Sequence, residues 1–128
     1  MQPIIMQDWI TIRGTGTATT VTMSQSDWIL TAPFQDITFY LDVREVTGTA
    51  VSITYETCPS RDDNLFRNIG SAVVPISGAA VTVTSYTLAA AMIPVSHWTR
   101  WKLTGTGVGS PVAWDVTFRV MAAGNSVG

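Results

Sequence analysis

Apolar and polar residues alternate one by one through several stretches of this chain, the two-residue period of a strand with one buried face. From Ile37 to Arg44, the residues Ile37, Phe39, Leu41 and Val43 fall on one side and Thr38, Tyr40, Asp42 and Arg44 on the other. The pattern returns with Val51, Ile53 and Tyr55 against Ser52, Thr54 and Glu56. Thr47-Gly48-Thr49, between the two runs, has the composition of a tight turn, so a hairpin is expected there. A third run sets Val112, Trp114, Val116, Phe118 and Val120 against Ala113, Asp115, Thr117 and Arg119 and reads as a central strand. Weaker alternation covers Trp9 to Arg13, Ala18 to Ser24, Ser71 to Ile76, Ala80 to Leu88 and Trp98 to Thr104.

Glycine and proline separate these segments at spacings suited to antiparallel sandwiches. One dry and one wet face per strand calls for two sheets packed face to face. The expected fold is therefore all-β, an antiparallel β-sandwich of about eight strands, of jelly-roll type. Residue usage agrees, with 19 Thr and 14 Val against 5 Leu. Leu88 to Ile93, ahead of Pro94, could add one short helical turn. No repeat and no linker divides the 128 residues, so 1–128 reads as one domain with a short N-terminal arm (1–8) and a short C-terminal tail (122–128).

Charge changes the picture most. Only 12% of residues are charged, against roughly 25% in ordinary soluble proteins. Such a surface is neutral and suited to being covered by partners. The net charge of −2, with Lys102 the single lysine and the arginines scattered, provides no basic patch, so no nucleic-acid partner is expected. Apolar stretches such as Tyr86 to Val95 are short and interrupted, so no membrane span is expected. Met1 to Trp9 has neither the basic nor the apolar region of a signal peptide, and synthesis in the cytoplasm is expected. Cys58 is the only cysteine, which forbids an internal disulfide.

Catalytic chemistry finds little support. His97 is the only histidine, no G-x-S-x-G surrounds a serine, and Cys58 precedes Pro59 without an activating neighbour. His97 and Cys58 are too few to hold zinc. The expectation is a chain that is not an enzyme and takes no cofactor or metal. Asp62, Asp63 and Asn64 form a loop whose oxygens could meet a cation or sugar hydroxyls; the alternative is a solvated turn with an Arg61 ion pair. Trp98 and Trp101 lie three residues apart and face opposite sides of a strand; Trp101 shares parity with Leu103 and is assigned inward, Trp98 outward beside Arg100 and Lys102. Trp9, Trp28, Trp98 and Arg100 are the interface candidates, because Trp and Arg dominate binding energy at protein contacts.

The stretch from Phe39 to Asp63, with its strand, Thr47-Gly48-Thr49 turn and Glu56-Thr57-Cys58-Pro59 strand end, is followed by the late run Thr99-Arg100-Trp101-Lys102-Leu103-Thr104-Gly105-Thr106-Gly107. Over roughly residues 37 to 121 this layout resembles the small β-sandwich accessory and decoration proteins of tailed-phage virions and related prophage-encoded particles, with Cys58 where that pattern has serine. The resemblance implies a non-enzymatic structural virion protein, a capsid-decoration or head-accessory subunit. Such a subunit would associate with itself, as a trimer or other ring, and bind a major capsid or tail protein within the virion. The late aromatic and basic strand also resembles carbohydrate-binding jelly rolls. That alternative function is glycan binding through Trp98, with Asp62 and Asp63 as ion or sugar ligands.

Overall fold

The computed structural model describes residues 2–69, 73–86 and 95–126. Among the described residues ten strands form: β1 (Gln2–Thr15), β2 (Thr19–Thr22), β3 (Ile29–Leu30), β4 (Phe34–Thr47), β5 (Val51–Cys58), β6 (Arg67–Asn68), β7 (Val74–Ile76), β8 (Val81–Tyr86), β9 (Trp98–Gly105) and β10 (Ala113–Ser126). All pairings are antiparallel. One sheet, A, runs β1-β10-β4-β8; the other, B, runs β2-β9-β5-β6, with β3 also on β9 and β7 also on β5. Since β2 and β3 share one side of β9, and β6 and β7 both lie along β5, the pattern reduces to the eight interleaved strands of a jelly roll.

The core lies where the odd residues of β4 and β5 meet the even residues of β10. Phe39 and Tyr55 stack across the two sheets with ring centroids 3.9 Å apart. Trp114, Val116, Phe118 and Val120 are buried along β10 beside Leu41 and Leu103. Trp114 fits because Gly14 and Gly105 leave its indole room: a Cβ at either position would stand 2.2 or 2.3 Å from the ring.

Three expectations change. The Thr47-Gly48-Thr49 turn joins no hairpin, because β4 and β5 belong to different sheets. The chain arches from one sheet to the other, Gly48 taking φ +147°, while Thr49 N–H donates to the Thr106 carbonyl at 2.9 Å. Facing packing wins over side-by-side pairing because both strands carry their large apolar residues on the inner side, and the Phe39–Tyr55 stack needs them opposed. The segment 1–8 is no free arm: from Gln2 it pairs with β10, Gln2 opposite Gly124. Register shifts between Ile5 and Gln7 and between Gln7 and Ile10 break its alternation, which hides the strand from a period-two reading. Residues 122–126 of the expected tail continue β10, with Ala123 opposite Thr38. The helical turn expected at 88–93 lies outside the described residues, as do 71–72 of the strand expected at Ser71 to Ile76 and 87–88 of the strand expected at Ala80 to Leu88.

Candidate functional site

Two outward faces carry the functional chemistry, one per sheet. On sheet B, register places Glu56 opposite Arg100 and Thr54 opposite Lys102, on the outer side of strands whose inner side holds Tyr55 and Trp101. Outward residues are normally wet, yet Glu56 is 5% and Arg100 6% exposed. The cover comes from the loops 23–31 and 59–66. Phe66 lies under the Arg100 guanidinium, 3.9 Å from the ring centroid, and Trp28 stands edge-on to Phe66 at 4.6 Å. Beneath that cover Arg100 Nε donates to Glu56 Oε1 at 3.0 Å, Lys102 Nζ lies 3.2 Å from Glu56 Oε2, and Arg100 also pairs with Asp63. Each buried charge thereby has an opposite one.

This arrangement corrects part of the sequence reading. Trp28 is 6% exposed and donates its Nε1–H to the Met23 carbonyl at 3.1 Å, so it belongs to the core under the loops and not to an exposed anchor. Arg100 faces outward as parity requires but is covered by Phe66 and Trp28, residues distant in sequence. Trp101 points inward, edge-on to Phe118. Trp98 points outward and is half-buried, with the Arg61 guanidinium 4.7 Å above its ring. Arg61 donates to the Gln25 carbonyl at 2.6 Å. The pairing once set against an ion site, Arg61 with an adjacent aspartate, gives way to Arg61 over indole and Asp63 on Arg100.

The oxygens of the Asp62-Asp63-Asn64 loop are not gathered on one point. Asp62 Oδ1 accepts from Asn64 N–H at 3.0 Å, capping the short 3-10 turn Asp63–Leu65, while Asp63 reaches Arg100. Among the described residues no group of three or more His, Cys, Asp or Glu side chains could hold a metal ion. The Cys58 thiol donates to the Ser60 carbonyl at 2.7 Å, and burial pushes its pKa up, away from a reactive thiolate. His97 is exposed with its ring against Trp98. A groove of about 430 Å³ at one end of the sandwich is lined by Val46, Thr49, Val51, Ser52, Ile76 and their neighbours, and carries no ionisable side chain. The described residues assemble no catalytic constellation.

On sheet A, the outer face shows a feature that sequence reasoning missed. Ile5 is opposite Met121, Met121 opposite Tyr40, and Tyr40 opposite Val83. These four side chains form one straight row across all four strands, roughly 14 Å long at ordinary strand spacing. Ile5 is 65%, Tyr40 39% and Val83 54% exposed. Polar neighbours border the row on one side: Arg119 Nε donates to Asp42 Oδ2 at 3.0 Å, and Trp9 lies beneath Arg44 and Arg119, 4.3 and 5.0 Å from its ring. Thr38 and Ser85, hydroxyl to hydroxyl at 3.0 Å, border the other. Tyr40 was visible only as an aromatic on a polar face; the row itself exists only once four strands are in register.

No protein-family model matches the sequence, and no curated protein sequence matches it. Solved structures share the fold. A chain of infectious bursal disease virus, Gx strain, has a TM-score of 0.52 at 10% identity over 94% of this chain and 32% of its own. The corresponding Gt strain chain has a TM-score of 0.53 at 11% identity, over 94% of this chain and 30% of its own. A family 30 carbohydrate-binding module has a TM-score of 0.44 at 12% identity, over 90% of this chain and 76% of its own. The chain thus spans about a third of the length of the viral chains it matches. The two viral likenesses show the jelly-roll fold and nothing of what this chain binds. The two viral chains are not tailed-phage proteins, so what they share with the sequence resemblance is the architecture.

Proposed function

We propose that this chain is a non-enzymatic structural subunit of capsid-decoration or head-accessory type, which docks on a larger protein shell of a virion through the outer face of sheet A. The observation that carries the reading is the row Ile5–Met121–Tyr40–Val83, a flat apolar line on a chain otherwise poor in charge. Water-exposed apolar rows rimmed by polar groups are the usual sign of a contact face. The border also suits it, because Trp9 under two guanidinium groups and the Arg119–Asp42 pair offer orientation at the rim. The test is co-sedimentation with particles from the native source. Tyr40→Lys and Met121→Lys are expected to keep the fold and to lose the particle, by about 2 kcal/mol or more for a central contact. Retention of both variants on the particle would remove this face from the function.

A second reading, a carbohydrate-binding module, is favoured by the outward placement of Trp98 on sheet B, beside Arg61. An indole presented with a cation can stack on a sugar ring. A glycan array tests it: retention that Trp98→Ala abolishes supports it, and an array without a hit dismisses it.

A further inference from the structure

Among the described residues, the row on sheet A ends at a strand edge that no further strand pairs with. Val43 N–H donates to the Ala80 carbonyl at 3.0 Å, and the same register sets Leu41 opposite Thr82, Phe39 opposite Thr84 and Ile37 opposite Tyr86. Backbone bonds alternate along an antiparallel ladder, so Thr82, Thr84 and Tyr86 turn their N–H and C=O groups to β4. Val81, Val83 and Ser85 turn theirs away from it. Among the described residues no strand pairs with that side of β8.

The other edges of the sandwich are blunted and β8 is not. β1 carries Pro3, Asp8, Arg13 and two register shifts. β3 and β6 are two residues long, β2 has four, and β7 has Pro75 at its centre. β8 reads Val-Thr-Val-Thr-Ser-Tyr, six residues with no charge, proline or glycine. Val81 is 62% and Val83 54% exposed. A regular neutral edge of this kind is a template for another strand.

We propose that β8 is a self-association seam, in which two copies of this chain pair β8 with β8 antiparallel about a two-fold axis at Val83, joining the two A sheets into one. The inference deepens the shell-docking reading and rests on it for the use of the joined face. The second copy is the occupant because one register satisfies two independent requirements. With Val83 opposite Val83 and Val81 opposite Ser85, the residues whose backbone groups point outward become the hydrogen-bonded pairs of the new ladder. That register also sets Val83–Tyr40–Met121–Ile5 of one copy in line with the same residues of the other, doubling the apolar row. No charged side chain stands on either edge to repel the other. The contact is isologous and closes at two copies, which protects both edges from open-ended pairing.

The test is the full-length chain in sedimentation equilibrium together with amide hydrogen exchange. A dimer is expected, with the amides of Val81, Val83 and Ser85 protected when concentrated and exchanging rapidly on dilution. Val83→Pro removes a donor that points away from β4, so the fold should keep its melting temperature and circular dichroism while dimerisation weakens a hundredfold or more. Val83→Lys, which sets two like charges across the axis, should weaken dimerisation likewise and serves if proline is not accommodated. A chain that stays monomeric at millimolar concentration overturns the seam. So does a dimer whose Val81, Val83 and Ser85 amides exchange freely, or one that both variants leave intact. A chain that dimerises through β8 yet binds no particle would sink the docking reading alone; one that binds particles as a monomer would sink the seam alone.

Discussion

Glu56 and Arg100 face each other from adjacent strands, 3.0 Å from carboxylate to guanidinium, on the side of sheet B that would be wet if the loops were absent. Their burial makes this pair a structural keystone for the loops 23–31 and 59–66, with Lys102 on the second Glu56 oxygen and Asp63 on the second arm of Arg100. Removing one partner leaves a buried charge without its complement. Arg100→Ala is expected to cost about 3–5 kcal/mol in chemical denaturation, and Glu56→Ala a similar amount. Asp63→Asn should cost about 1 kcal/mol or less, because the Asp63 side chain is 74% exposed. Equal costs for all three variants would contradict the placement of the pair.

Packing around Trp114 makes a second expectation. A methyl at Gly105 would overlap the indole, so Gly105→Ala should destabilise the fold by about 1–3 kcal/mol or more. Thermal unfolding of Gly105→Ala alone and combined with Trp114→Leu checks the cause. The double variant should lose less than the sum of the two single losses, and simple additivity would mean that the two residues do not compete for the same space.

Alkaline pH gives a third. The Tyr55 hydroxyl is buried without a hydrogen-bond partner among the described residues, and burial, with Tyr86 beside it, raises its pKa well above the ordinary value of 10.0. Tyr86 is raised as well, by burial. The folded state therefore holds these protons where the unfolded state has released them, so stability is full below about pH 10 and falls as pH rises beyond it. Tyr55→Phe removes one of the two groups. Its stability should be near or above that of the parent at neutral pH, and its decline beyond pH 10 shallower. An unchanged slope would argue against a buried hydroxyl.

Strand identity was legible in the sequence wherever alternation was unbroken. β4, β5 and β10 follow from Ile37–Val43, Val51–Tyr55 and Val112–Val120, and the jelly-roll sandwich follows from their number and spacing. What stayed hidden depended on contacts distant in sequence. The first bulge of β1 turns two successive residues inward, Met6 into the core and Gln7 to accept from Trp101 Nε1–H, which erases the period. Parity placed Arg100 on the outer face correctly, but its cover is supplied by Trp28 and Phe66, which no local pattern connects to it. The apolar row is a property of register: Ile5, Met121, Tyr40 and Val83 are each unremarked in their own segments.

Shell docking through this row has one direct measurement, oxidative footprinting of Tyr40 and Met121 in the isolated chain and in particles recovered from the native source. The account predicts that both are oxidised readily in the isolated chain and shielded in the particle, while Trp98 on the opposite sheet reacts alike in the two states. Equal oxidation of Tyr40 and Met121 in both states, with Trp98 shielded in the particle, would contradict it.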